Sequence, residues 1–312
     1  MRVAAVDQGT NTTRLLVADV EDGEVEEVSR ETRITRLGEG VDSRRRLLPV
    51  PIARVRNALS DYRREAERLG AERVLLVATS SVRDAENGEA FLGEIEWSYG
   101  FATRLLTGEE EAELTFAGAA NGRSGRTLVV DPGGGSTEFV VGEGAKITSR
   151  ESVDIGSVRL TERFVRTDPP DRDELAAMAA YVREVLPEPP KVDLALGVAG
   201  TITTLAALDL GLDAEEGLGT HGHPLTLDAV RAQRERLASM PLAERRRLTG
   251  LHPERAPVIV AGAVLVEQVI EQFGLVTLEI SERDILHGAA VAASELPAPA
   301  EGAAPPGAYT CC

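Results

Sequence analysis

Three consecutive glycines, Gly133, Gly134 and Gly135, interrupt two apolar runs in LVVDPGGGSTEFVV, from Leu128 to Val141. An apolar run that ends on an acid, turns through glycine and resumes reads as strand, tight turn and strand. Glycine costs backbone entropy, so a run of three belongs where the main chain bends sharply or lets a ligand approach its N–H groups. Phosphate is the ligand such a turn suits.

The pattern occurs once before, at the start of the chain, as VAAVDQGTNTTRLLVADV. Asp7 precedes Gly9 and Arg14 with the spacing at which Asp131 precedes Gly133 and Glu138. The chain therefore carries an internal repeat. Its seventh position is cationic in one copy and anionic in the other. Two phosphate loops facing each other across a cleft are expected.

A chain of 312 residues suits two domains. With 43% hydrophobic and 27% charged residues it has the composition of a globular protein. The net charge of −17 argues against nucleic acid or an anionic membrane as the main partner. Any polyanionic ligand then needs a local basic exception, for which Arg14, Arg83, Arg159 and the run Arg44, Arg45, Arg46 are candidates. Cys311 and Cys312, the only cysteines, adjoin each other at the C-terminus, which fits a reducing cytoplasm. The longest apolar run, residues 256–266, is too short to span a bilayer, and a cytoplasmic location is expected.

Strands are expected at 3–7, 14–20 and 25–31, then an ordered loop through RITRLGEGVDSRRRLLPVP and a helix from Pro51 to Gly70. A buried strand at 74–79 delivers Thr79, Ser80, Ser81 and Arg83 to the edge of an α/β sheet where ligands bind. A helix at 87–96, a strand at 102–106 and a helix at 109–119 complete a first domain, 1–121. The second, 122–283, holds the glycine hairpin, a strand at 145–152 and helices in DIGSVRLTERF and at 171–186. A strand at 192–198 then enters the GVAGTITTLAAL helix, whose first turn brings Gly200 and Thr201 to the ligand side. Helices at 225–240, 242–248 and 256–273 and a strand at 278–281 follow. A closing helix, 284–295, is free to pack back on the first domain, and 296–312 reads as a disordered tail.

Eight ordered segments, AVDQGTNTTRLLV, ATSSVRDAENGEAF, LTGEEEAEL, VVDPGGGSTEFVV, DIGSVRLTERF, GVAGTITTLAAL, HPERAPVIVAGA and SERDILHGAA, resemble the exopolyphosphatase and guanosine pentaphosphate phosphatase family. That family belongs to the actin, sugar kinase and Hsp70 superfamily. The resemblance implies an α/β fold of two ribonuclease H-like domains facing across a phosphate-binding cleft, in the short two-domain form. It departs at Gln8, where an apolar residue is usual, at Arg46, and at Pro132 and Pro257.

Hydrolysis of a terminal phosphoanhydride needs neutralised phosphate oxygens, a divalent metal and a group that orients or deprotonates water. Backbone N–H groups around Gly9, Thr10 and Asn11, and around Gly133, Gly134, Gly135 and Ser136, suit the first task, with Arg14 and Arg83 adding charge. Asp7, Asp131 and Glu138 suit Mg²⁺ or Mn²⁺; the competing explanation is an Asp that only stabilises its own turn. Asp131 and Glu138 are also the second-loop acids that the family ties to catalysis. Of Glu109, Glu110 and Glu111, position alone selects none; the family pattern assigns the catalytic glutamate to the residue before Ala112, Glu111.

The implied activity is that of an exopolyphosphatase releasing orthophosphate from inorganic polyphosphate, with short chains preferred. Guanosine pentaphosphate hydrolysis is the alternative, so the partner is polyphosphate or a (p)ppGpp-type nucleotide. A sugar or acetate kinase shares the loops but not the ATSSVRD segment or the glutamate before Ala112. A nucleotide-switched binding protein of the same superfamily needs additional domains for which the chain leaves little room. Oligomeric state, a homodimer included, stays open.

Overall fold

The computed structural model describes residues 1–213 and 219–297. The sequence reading of a tail from 296 onward, with Cys311 and Cys312, falls beyond 297 outside the described residues. Packing divides the chain into two units, one of residues 1–114 together with the chain from Ile285, the other of residues 115–284.

In the first unit β1 (Arg2–Gln8), β2 (Thr12–Glu21) and β3 (Glu24–Ile34) form an antiparallel meander. The turn from β2 to β3 uses Asp22 and Gly23 at φ of 50° and 83°, the left-handed pair that matches the twist of a two-residue hairpin. The following loop contains one helical turn, α1 (Val41–Arg44). Helix α2 (Pro49–Leu69) starts at Pro49 rather than Pro51, because proline fits the first turn, and ends at Gly70, φ 77°. Then come β4 (Arg73–Ala78), α3 (Ser80–Arg83), α4 (Gly88–Tyr99), β5 (Ala102–Leu105) and α5 (Gly108–Ala119). The sheet order is β3-β2-β1-β4-β5, with β1, β4 and β5 parallel.

The second unit repeats this plan. An antiparallel meander, β6 (Arg126–Pro132), β7 (Thr137–Glu143) and β8 (Lys146–Val153), leads into α6 (Ser157–Phe164) and α7 (Arg172–Val185). Strand β9 (Leu194–Gly197) lies parallel to β6 and feeds α8 (Ala199–Leu210). After β10 (Pro224–Leu225) come α9 (Leu227–Ala238), α10 (Leu242–Arg245), α11 (Ile259–Gln272) and β11 (Leu278–Ile280). The order β10-β11-β9-β6-β7-β8 contains the same meander and parallel crossovers as the first sheet. Even the bulge recurs, between Val17 and Ala18 in one meander and between Val141 and Gly142 in the other.

Boundaries move in the second unit as well. Leu225 pairs with Leu278 as a strand, and the helix starts after Thr226, whose side chain accepts from the Ala229 N–H at 3.2 Å. The helix expected at 242–248 is one turn, and that expected from 256 starts at Ile259, after turns in which Val258 and Ile259 both donate to the Arg255 carbonyl.

The first sheet is buried on both faces. Val3 and Ala5 meet the last helix, α12 (Ile285–Ser294), through Leu286, Ala289 and Ala290, whereas Ala4 and Val6 meet α2 through Val55, Leu59 and Tyr62. Alternate residues of one strand thus serve two cores. In the second unit one core centres on α11, buried from Ile259 through Ile270. Each fully buried Leu, Ile or Val there contributes ~1.5–3 kcal/mol.

Candidate active site

In both hairpins the carbonyls of the turn are tied back by donors from the flanking chain. In the first unit Gly9 O accepts from Gln8 Nε2 at 3.0 Å, Thr10 O from the Gly38 N–H at 2.8 Å, and Asn11 O from the Thr35 and Arg36 N–H groups at 3.1 and 3.0 Å. In the second, Gly133 O accepts from the Ser157 N–H at 3.0 Å and Gly134 O from those of Val158 and Arg159 at 2.9 and 3.1 Å. Gly135 O accepts from Arg159 Nε at 2.8 Å.

A trans peptide is planar, with its C=O and N–H antiparallel. Fixing these carbonyls on one side therefore turns the N–H groups of Thr10, Asn11, Gly134, Gly135 and Ser136 to the other, where they have no acceptor among the described residues. Each hairpin is thereby a cradle for an anion. Gly9 and Gly133 are used differently from the expectation: their N–H groups close the hairpins onto Thr12 O and Ser136 O, both at 2.9 Å.

Close approach explains a glycine outside the motif. A Cβ on Gly156 would lie 2.3 Å from the Gly134 carbonyl carbon, so only glycine lets the start of α6 reach the loop. Gln8, 0% exposed, is a clamp as well as a departure: its Nε2 holds Gly9 O while its Oε1 accepts from Thr13 Oγ1 at 2.8 Å.

The seventh position of the repeat is the register partner of its acid. Asp7 faces Arg14 and Asp131 faces Glu138. Arg14 donates to Asp7 Oδ2 from Nε at 2.9 Å and from a terminal nitrogen at 2.7 Å, forming a nearly buried ion pair. Asp131 and Glu138 are both carboxylates, 9% and 1% exposed. Thr115 Oγ1 donates to Asp131 Oδ2 at 3.2 Å and Ser152 Oγ to Glu138 Oε1 at 2.8 Å.

Two adjacent buried carboxylates fit a divalent cation of the Mg²⁺ kind, which takes one or two protein carboxylates and fills its shell with water and phosphate oxygens. Among the described residues no group of three or more His, Cys, Asp or Glu side chains is placed to hold a metal alone, as this mode requires none. The charge-compensated pair Asp7–Arg14 suits a metal less well.

The three successive glutamates part company on α5. Glu110 reaches back to the Thr107 N–H at 2.9 Å while its own N–H donates to Thr107 Oγ1 at 3.2 Å, a reciprocal cap. That backbone bond, together with Arg104, holds the Glu110 carboxyl below its ordinary range. Glu111 turns inward, 8% exposed, where Arg83 offers an N–H to its Oε2 at 3.4 Å and to the Leu106 carbonyl at 2.8 Å. Ser80, at the first turn of α3, shares a 2.9 Å hydrogen bond with Thr10 Oγ1.

At the start of α8 the chain passes through φ 69° at Ala199, a conformation that is costly for a residue with a Cβ. A Cβ on the next residue, Gly200, would fall 1.9 Å from a terminal nitrogen of Arg255. The Arg255 guanidinium thus lies on the first turn of α8, beside Thr201, which is 7% exposed and packed against Gly262. Arg159, a basic candidate from the sequence, serves here to hold the Gly135 carbonyl; Gly156 and Arg255 carry no role in the sequence pattern, and their signal is glycine and arginine recurring next to a turn.

Two α/β units, each with an antiparallel meander continued by parallel strands and a first hairpin whose N–H groups suit an anion, have an actin-like fold. The family model described as the Ppx/GppA phosphatase family matches residues 16–295, and the chain belongs to that family. Exopolyphosphatase 2 of Mycobacterium tuberculosis is 43% identical, the match covering 93% of this chain and 98% of the relative. A guanosine-5'-triphosphate,3'-diphosphate pyrophosphatase of Vibrio vulnificus is 31% identical over 92% of this chain and 57% of its own. The crystal structure of the Aquifex aeolicus Ppx/GppA family member superposes with a TM-score of 0.76 at 32% identity, covering 94% of this chain and 97% of that one. No described helix is long and apolar enough to cross a membrane.

Proposed function

We propose that this chain is an exopolyphosphatase that hydrolyses the terminal phosphoanhydride of inorganic polyphosphate and releases orthophosphate, short chains being preferred. The observation that carries this reading is the pair of hairpins whose carbonyls are tied back so that successive N–H groups face away from the protein's own acceptors. Full-length similarity to an exopolyphosphatase at 43% identity supports it.

In this reading the N–H groups of Thr10, Asn11, Gly134, Gly135 and Ser136 bind phosphate oxygens and become stronger partners as charge develops on them. Gly9, Gly133, Gly200, Thr201 and Ser80 shape those surfaces, while Arg14, Arg83 and Arg255 supply cationic charge. Asp131 and Glu138 would hold Mg²⁺ or Mn²⁺, with Asp7 a weaker candidate. Such an ion, when bound, neutralises charge on the transferring phosphoryl group. Glu111 accepts a proton from the attacking water; the water oxygen bonds to the terminal phosphorus as the bridging P–O bond breaks and its electrons pass to the shortened chain.

Purified protein should be assayed with Mg²⁺ for orthophosphate release from short polyphosphate, long polyphosphate, guanosine pentaphosphate and ATP side by side. Polyphosphate should be the best substrate by kcat/KM. Preference for guanosine pentaphosphate would establish the alternative that the Vibrio relative's name suggests, and transfer of phosphate from ATP to a sugar or acetate would sink both.

A further inference from the structure

We propose that Thr115 and Ser152 are positioning residues that aim the Asp131 and Glu138 carboxylates at a divalent cation. The inference rests on reading that pair as the metal site. A carboxylate turns easily about its last bond, where the torsional wells are broad, so two adjacent carboxylates need something else to set their planes. Here each accepts from a hydroxyl, Asp131 Oδ2 from Thr115 Oγ1 and Glu138 Oε1 from Ser152 Oγ.

The donors come from two different elements. Thr115, 0% exposed, projects from α5; Ser152, the register partner of Glu138, stands exposed on β8. Their chemistry contrasts with the first hairpin, where Arg14 orients Asp7 and also cancels its charge. A hydroxyl donor orients a carboxylate without itself bringing a positive charge. This is the outer-shell role that hydrogen-bond donors play for metal-ligating carboxylates. Thr115 also lies one helical turn beyond Glu111 on α5, at the spacing that shares a helix face.

The test is a Mn²⁺ titration of the full chain, free Mn²⁺ being read by electron paramagnetic resonance, for Thr115→Val and Ser152→Ala beside the wild type. Each should weaken Mn²⁺ binding about tenfold or more, the effect expected for loss of an outer-shell partner. Thr115→Ser and Ser152→Thr, which restore a hydroxyl, should bind close to the wild type; a packing role would not be rescued in this way. Ser152 is exposed, so Ser152→Ala decides the matter if Thr115→Val fails to fold. Asp131→Asn and Glu138→Gln separate the two levels of the argument. If they keep wild-type Mn²⁺ affinity, the metal reading of the pair fails. If they lose it while Thr115→Val and Ser152→Ala bind normally, the positioning inference alone is wrong.

Discussion

Arg14 places two hydrogen bonds on a single oxygen of Asp7, Oδ2, at 2.9 and 2.7 Å, across the first hairpin of the chain. The equivalent partners in the second hairpin, Asp131 and Glu138, carry like charge. One duplicated turn thus sets opposite charges opposite each other in one copy and two carboxylates in the other. Removing the arginine should expose the difference. Arg14→Met leaves the largely buried Asp7 carboxylate uncompensated and should destabilise the protein by about 3–5 kcal/mol, read from urea unfolding. Asp7→Leu combined with Arg14→Met should recover most of that loss. If the single variant unfolds like the wild type, the pair does not stabilise the first unit.

Glu110 and Glu111 adjoin in sequence but should separate in experiment. Glu111→Gln is expected to lower turnover by about 10²-fold or more, the lower range for loss of a positioned acid–base group, with little change in unfolding midpoint. Glu110→Ala removes half of a reciprocal cap and should cost about 0.5–2 kcal/mol of stability while sparing turnover. Interchanged outcomes would transfer the catalytic role to Glu110 and overturn its assignment to Glu111.

Much of the fold was legible because its strongest signals are local. Each hairpin is a strand ended by Asp and turned by Gly, and a period-2 pattern cannot slip register without moving its apolar set to solvent. The short elements were not legible. Leu225 belongs to both a helical period and a strand pairing, and the pairing with Leu278 wins because it extends the sheet. At the site, Asp131 and Glu138 could be located by spacing, but the hydroxyls that orient them come from Thr115 and Ser152 on other elements. Nothing in either local pattern marks such a long-range bond. Gln8 looked like a mere departure; only the folded chain gives its amide two partners.

Two glycines separate conformational freedom from close approach. Gly93 lies in α4, where an added Cβ would meet nothing within 4 Å. Gly93→Ala should stabilise the protein by about 0.5–1 kcal/mol, because a helix-interior glycine holds more unfolded-state entropy than alanine. Gly156→Ala drives a methyl into the Gly134 backbone at 2.3 Å. It should cut kcat/KM for phosphate release by disturbing the second cradle. An unaffected kcat/KM would mean that this loop does not set phosphate affinity.

Acid stability should depend on Glu27. Its carboxyl accepts a hydrogen bond from His287 at 3.0 Å, and that bond, reinforced by Arg30 against the opposing effect of burial, holds it below its ordinary 4.5. A depressed folded-state pKa means that the stabilisation is fully present above the unfolded value and is lost as pH falls through the folded one. The window is therefore below about pH 4.5. Glu27→Gln should be less stable than the wild type at neutral pH and should lose less of its unfolding midpoint between pH 6 and pH 3.5. Parallel curves for the two proteins would place the acid-labile contacts elsewhere.

Chain-length preference follows from charge. A long polyphosphate lays many phosphates on surface beyond the two cradles, and a protein with a net charge of −17 repels them there. Of the two dense arginine runs, the second loses a member: Arg245 is 4% exposed and engaged by Asp168 and by the carbonyls of Leu237 and Met240. Arg44, Arg45 and Arg46 are all exposed, in and just after the helical turn α1 that follows β3. A basic track of three residues covers few phosphates. Short polyphosphates should thus be cleaved with higher kcat/KM, counted per chain end, than chains of hundreds of units. Added salt should narrow the gap, because screening over about 10 Å at 0.1 M removes the repulsion of distant surface charge. Replacing Arg44, Arg45 and Arg46 with Gln should depress the long substrate further and leave the short one nearly unchanged. Equal or better per-end efficiency on long chains at low salt would instead require the protein to hold the chain along a continuous basic path, and the triple substitution would then locate it if it abolished that advantage.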